Sequence, residues 1–159
     1  MRAEWLQSSQ GATLEGPLLL TPPVFGDGRG FFLESWNQRV FAELLEADGQ
    51  PAPAAFVQDN HSRSSQGVLR GLHYQLDPHP QGKVVRCVVG EIFDVAVDLR
   101  RASSSFGHWC AARLSAANQQ QLWLPPGFAH GFLSLSDGVE VLYKTTDFWP
   151  PACERAIRW

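Results

Sequence analysis

The stretch Glu91-Ile92-Phe93-Asp94-Val95-Ala96-Val97-Asp98-Leu99 decides the fold. Its side chains alternate. Phe93, Val95, Val97 and Leu99 fall on one face, and Ile92, Asp94, Ala96 and Asp98 on the other. A period of two is the signature of a strand, whose successive side chains point to opposite faces. The second face carries two carboxylates, so it meets either solvent or a polar-lined cavity. Similar short runs flank this one, at 84–89, 109–114, 120–124, 132–135 and 139–145. Turn residues at 103–107, 116–118, 125–127 and 137–138 separate them. Many short strands at regular spacing, with no alternation of strand and helix, predict an all-β fold: an antiparallel sandwich or barrel.

Upstream the pattern is less regular. Residues 1–16 are polar and contain glycine, which predicts a flexible or arm-like lead-in. Leu18-Leu19-Leu20-Thr21 starts a strand that Pro22-Pro23 ends. Residues 25–30 read as a glycine-rich turn and 31–36 as a strand. Asn37 reads as an N-cap. Val40, Phe41, Leu44 and Leu45 then recur at helical spacing, which predicts one short amphipathic helix over 38–47. The whole of 1–159 reads as one domain.

The totals exclude several function classes. With 159 residues, 44% hydrophobic, the chain is long enough for one sizeable core. A formal net charge of -3 gives no electrostatic case for nucleic acid or for an anionic membrane. No apolar run approaches the length of a membrane span, and residues 1–10 have no apolar centre of a signal peptide. Cys87, Cys110 and Cys153 are widely spaced and odd in number, so neither a disulfide framework nor a zinc motif is indicated. A cytoplasmic protein is the expectation.

Arg70-Gly71-Leu72-His73-Tyr74-Gln75 concentrates hydrogen-bonding groups between apolar runs, which points to a pocket lining. Parity places Leu69, Gly71, His73 and Gln75 on one face, and Arg70 joins them only if Gly71 forms a bulge. Lys83 reads either as an ordinary surface lysine or, since it shares a face with Val85, Cys87 and Val89, as an ammonium at the mouth of an apolar barrel, where it could hold an oxyanion. Tyr143 reads by pattern alone as an ordinary sheet tyrosine. Trp149 and Phe148 could stack on a flat ring or form an apolar lid. His130 sits in Pro125-Pro126-Gly127-Phe128-Ala129-His130, a spacing similar to the second motif of cupin barrels, where the histidine often ligates a metal. The paired histidines of the first cupin motif are absent. His73, His130 and one of Gln75 or His79 make a weak transition-metal set, so His130 is expected as hydrogen-bonded lining with no metal.

Seven stretches together resemble the dTDP-4-dehydrorhamnose 3,5-epimerase family. They are FGDGRGFFLESW at 25–36, FVQDNHS at 56–62, VLRGLHYQ at 68–75, QGKVV at 81–85, GEIFDVAVDLR at 90–100, QLWLPPGFAHGF at 121–132 and LYKTT at 142–146. The resemblance implies a cupin-like jelly-roll barrel with one or two short helices, a homodimer, a dTDP-4-keto-6-deoxyhexose substrate and no cofactor or metal. It implies His73 as base, Tyr143 as acid and Lys83 as support for an enolate. Arg29, Phe32 and Glu34 would reach the partner subunit's site, and Gln58, Asn60, Arg70, His130 and Trp149 would line the ligand pocket. Family members continue past the position of Trp159 and supply an aspartate that pairs with the base; within this sequence Asp94 is a candidate for that role. Rival readings are a 3-epimerase, a metal-dependent cupin oxygenase and a non-catalytic sugar-nucleotide binder.

Overall fold

A computed structural model describes residues 1–158. Its frame is two antiparallel sheets. The first contains β1 (Arg2–Gln7), β2 (Thr13–Thr21), β5 (Gln58–Ser64), β7 (Lys83–Val89), β10 (Gln121–Leu124) and β12 (Val139–Thr145), in the order β1-β2-β10-β7-β12-β5. The second contains β6 (Leu69–Gln75), β8 (Glu91–Asp98), β9 (Trp109–Ser115), β11 (Phe128–Ser134) and β13 (Glu154–Ala156), in the order β13-β6-β11-β8-β9. A separate small hairpin joins β3 (Phe25–Asp27) to β4 (Gly30–Phe32). Apart from the consecutive pairs β1–β2 and β8–β9, neighbours in the sheets are far apart in sequence, as expected of the cupin-like jelly roll.

The alternation read in β8 holds along the whole strand: Ile92, Asp94, Ala96 and Asp98 are buried, and the residues between them are partly exposed. The core between the sheets includes Leu14, Val85, Cys87, Ile92, Leu114, Leu122, Phe128, Phe132 and Val141. The two carboxylates of β8 are therefore inside. Asp98 is held by Arg100 at 2.8 and 2.9 Å and by the hydroxyls of Ser103 and Ser105, both at 2.7 Å. Burial alone would raise its pKa, but these hydrogen bonds win and hold it at about 2.

Three expectations need correction. Residues 1–16 are not a loose lead-in: β1 and most of β2 form a hairpin, because Leu14 is fully buried and Leu6 packs against the same core. The strand expected over 31–36 stops at Phe32, since β4 pairs only with the three residues of β3, where Phe32 meets Phe25 and the ladder ends. In the second sheet, β11 starts at Phe128 rather than 132, and β13 was missed because three residues carry no readable alternation.

The helix α1 (Gln38–Ala47) lies where its spacing predicts. The Asn37 side chain accepts from the backbone N–H of Arg39 at 3.1 Å and Val40 at 3.2 Å. Ten residues are too few for a stable helix in water. Phe41 and Leu45 are fully buried against Leu18, Leu20, Val84 and Trp123 on the outer side of the first sheet. At roughly 1.5–3 kcal/mol for each such side chain, docking outweighs the weak intrinsic tendency.

The irregularity that matters most is between β6 and β11. His130 pairs with His73, yet Phe132 pairs with Arg70, so β6 has one residue more than β11 across this interval. The extra residue falls at Gly71-Leu72, beside Gly131. A Cβ built on Gly71 would lie 2.6 Å from Gly131 Cα, and one on Gly131 would lie 2.7 Å from the Arg70 carbonyl oxygen. Both obstacles are backbone and cannot move aside. Gly131→Ala is expected to destabilise the fold by roughly 1–3 kcal/mol, read as a lower midpoint in urea unfolding; an unchanged midpoint would show that the two strands can separate at no cost.

Candidate active site

The bulge decides which way the β6 side chains point. In a regular strand Arg70 and His73 would face opposite ways; with one extra residue between them both face the space between the sheets, together with Gln75. β11 supplies His130 opposite His73 and Phe132 opposite Arg70. From the other sheet come two cross-strand rows: Asn60, Tyr143 and Val85, then Gln58, Thr145 and Lys83. The result is a solvent-connected cavity of about 360 Å³. His73, Lys83 and Tyr143 all line it. So do Gln58, Asn60, Arg70, His130 and Trp149.

The remaining sequence-predicted residues are elsewhere. Arg29, Phe32 and Glu34 do not line this cavity. Arg29 is paired with Asp27 on the β3–β4 hairpin, and Phe31 and Phe32 are 62% and 69% exposed there. Asp94 does not orient His73. Its Oδ1 accepts from His130 Nε2 at 2.7 Å, and β11 stands between β6 and β8, keeping the carboxylate from the other histidine. His79 pairs with Asp147 at 3.0 Å rather than joining His73 and His130. Among the described residues no three His, Cys, Asp or Glu side chains converge as a metal site.

Glu154, which sequence reasoning passed over, also lines the cavity, as do Tyr74 and Gln75 of the stretch read as pocket lining, and Ser62 and Gln81 of the family-like stretches at 56–62 and 81–85. Glu154 arrives on β13, whose backbone pairs with β6 directly behind Gln75. Its carboxylate Oε2 accepts from Trp149 Nε1 at 2.9 Å. The one signal for it is its place five residues beyond Trp149, which is too weak to act on without the fold.

The electrostatics are set by desolvation. Lys83 is drawn down to about 8 from the usual lysine value near 10.5. Burial is the main cause, and the carboxylates of Asp94 and Glu154 act through space in the opposite direction. Tyr143 is pushed upward, again chiefly by burial, with Arg70 opposing and Glu154 adding to the rise. At neutral pH the cavity thus holds an ammonium that readily gives up its proton and a phenol that keeps its own. Among the described residues, Gln75 contributes a buried amide with neither atom hydrogen-bonded, and Asp94 Oδ2 has no partner. Buried polar groups left in this state cost stability, and they cluster at this end of the interior.

A base, a phenol and a partly desolvated cation around one cavity suit proton abstraction beside a carbonyl, with return of the proton to another face. Comparison with known proteins agrees. The family model described as dTDP-4-dehydrorhamnose 3,5-epimerase matches residues 11–159. The dTDP-4-dehydrorhamnose 3,5-epimerase of Pseudomonas aeruginosa is 62% identical over 142 residues, 89% of this chain and 75% of that one. The crystal structure of the dTDP-6-deoxy-D-glucose-3,5-epimerase of Legionella pneumophila, in complex with dTDP-4-keto-L-rhamnose, superposes with a TM-score of 0.88 at 42% identity, covering 99% of this chain and 79% of that one. The dTDP-4-dehydrorhamnose 3-epimerase of Streptomyces niveus is more distant, 38% identical over 91% of this chain and 67% of its own.

Removal of the Asp94 charge is expected to lower the Lys83 pKa below about 8, because that charge is one of the two that favour the ammonium. The pH dependence of Lys83 acylation, followed by mass spectrometry in wild type and Asp94→Asn, checks this. A midpoint moving upward in the variant would contradict it.

Proposed function

The chain belongs to the dTDP-4-dehydrorhamnose 3,5-epimerase family, and from that premise we propose that it inverts C3 and C5 of dTDP-4-dehydro-6-deoxy-D-glucose, giving dTDP-4-dehydro-L-rhamnose. The observation that carries the reading is the convergence of His73, Tyr143 and Lys83 on one cavity. Both inverted carbons flank the C4 ketone, so each carries a proton that is acidified by the same carbonyl. One oxyanion site can serve both steps.

His73 is the base. An imidazole side chain can both accept and release a proton, as a general base must. It removes the proton from C3 or C5, and the electron pair moves onto the C4 oxygen. Lys83 stands by as an ammonium and stabilises that negative charge; desolvation makes a fixed cation worth more there than in water. Tyr143, kept protonated by its surroundings, returns a proton to the opposite face. The imidazolium and phenolate left by each inversion then return to their starting states by proton exchange with solvent, so each inverted carbon carries a solvent-derived hydrogen. As pH rises through about 8 Lys83 loses its charge, so its support for the enolate declines above that value.

His130, held by Asp94, and Arg70, held by Ser64 Oγ at 2.9 Å, line the wall against which the sugar nucleotide lies. Trp149, half exposed at the rim, offers a face to the base. The reading includes a homodimer. Arg29, Phe32 and Glu34 reach the partner subunit's cavity, which is supported by two neighbouring phenylalanines left more than half exposed on the β3–β4 hairpin. A cytoplasmic site and a role in supplying rhamnose for surface polysaccharide follow from the nucleotide-sugar substrate. Epimerisation at C3 alone is the second reading, favoured by the likeness to a 3-epimerase, though that relative is much less similar than the 3,5-epimerases.

Incubation with dTDP-4-dehydro-6-deoxy-D-glucose in deuterated water tests the assignment. Deuterium at both C3 and C5 is the expected product, and His73→Ala is expected to lose exchange at both; label at C3 alone would establish the second reading. Hybrid dimers test the shared site. A mixture of His73→Ala and Arg29→Ala subunits, each weak alone, is expected to regain activity, because one site per hybrid then has both residues. Failure to regain it, with hybrid formation verified, would place Arg29 outside the partner's site.

A further inference from the structure

His79 belongs to none of the roles assigned so far. It lies in the connector between β6 and β7, four residues before Lys83. Its Nδ1 is 3.0 Å from Asp147 Oδ2, on the segment that leads from β12 to Trp149. These two segments form adjacent parts of the cavity rim.

Asp147 gathers the rim. Its Oδ1 accepts from the Phe148 N–H at 2.7 Å, and its carbonyl accepts from Gln81 Nε2 and from Thr145 Oγ1, both at 2.8 Å. One residue away, Gly82 and Thr146 exchange two more bonds, at 2.8 and 3.0 Å. The segment then delivers Trp149, whose N–H reaches Gln58 Oε1 at 3.3 Å and whose indole N–H reaches Glu154 at 2.9 Å. His79 is the first cause holding the Asp147 carboxyl below its usual range, with the Phe148 N–H second. His79 and Asp147 remain 43% and 31% exposed, so the pair is not needed to fill the core.

We propose that the His79–Asp147 pair is a positioning clasp: it joins the segment that introduces Lys83 to the segment that carries Trp149, and so fixes the rim on which the nucleotide end of the substrate rests. This rests on the epimerase reading. The reacting side chains His73, Lys83 and Tyr143 are held on the strands β6, β7 and β12 and do not depend on the clasp. Its loss therefore removes binding that is equal in ground and transition states, which raises KM and leaves kcat.

The test uses the intact protein and dTDP-4-dehydro-6-deoxy-D-glucose. His79→Ala is expected to raise KM roughly threefold to fivefold, the upper part of the range for an exposed pair, with kcat within about twofold. His79→Asn, which keeps a donor close to Nδ1, is expected to restore KM. Asp147→Asn combined with His79→Ala is expected to be no worse than His79→Ala alone, since one interaction is lost only once. An unchanged KM in His79→Ala, a fall in kcat at constant KM, or failure of His79→Asn to restore KM would each overturn the clasp. A wild type that neither turns over the keto sugar nor binds dTDP would overturn the functional reading, and the clasp with it; an active wild type with a flat His79→Ala response overturns the clasp alone.

Discussion

Two glycines on neighbouring strands, Gly71 and Gly131, approach so closely that neither can carry a side chain. The rest of the site depends on this contact. It accommodates the extra residue in β6, and the extra residue is what turns Arg70 inward beside His73 and Gln75. Without it, parity would send the guanidinium and the imidazole to opposite faces. One would be left outside the cavity. Bulges of this kind re-aim side chains at sites; here the device is made possible by two missing Cβ atoms.

The second constraint is the dielectric. The interior between the sheets is apolar at one end, around Ile92, Leu114 and Leu122, and crowded with polar groups at the other. Polar groups at that end are incompletely paired, as Gln75 and Asp94 Oδ2 show. That arrangement lowers stability, but it also keeps Lys83 poorly solvated and the Tyr143 phenol protonated. In a fully hydrated groove the same ammonium would be a weaker partner for an oxyanion. The contrast with Asp98 is informative. That carboxylate is as buried as Asp94, yet it is satisfied by an arginine and two serines, and it has a structural task only: it ties the turn after β8.

Several features are legible in the sequence alone. The alternation of β8, the helix over 38–47 with its Asn37 cap, and the strand at 139–145 came from periods of 2 and 3.6 that burial enforces directly. The convergence of His73, Lys83 and Tyr143 was expected from likeness to a family, since no local pattern joins residues so far apart. The N-terminal hairpin was missed because β1 hides its few apolar residues among polar ones, and its pairing partner alone makes it a strand. Glu154 was missed because β13 is three residues long and is defined by β6 alone.

The sequence by itself determined the fold class and most strand positions, because the faces of a strand are written in the order of its own side chains. Most of the residues expected around the cavity came from likeness to the family, with no local pattern to name them. The tertiary structure alone decided which carboxylate meets which histidine. Asp94 serves His130 because β8 lies next to β11, whereas β6 lies one strand further away. It likewise decided that Arg70 faces inward and that His79 clasps Asp147. Strand order and register bring these groups together, and both are settled by packing among distant segments, which no local period records.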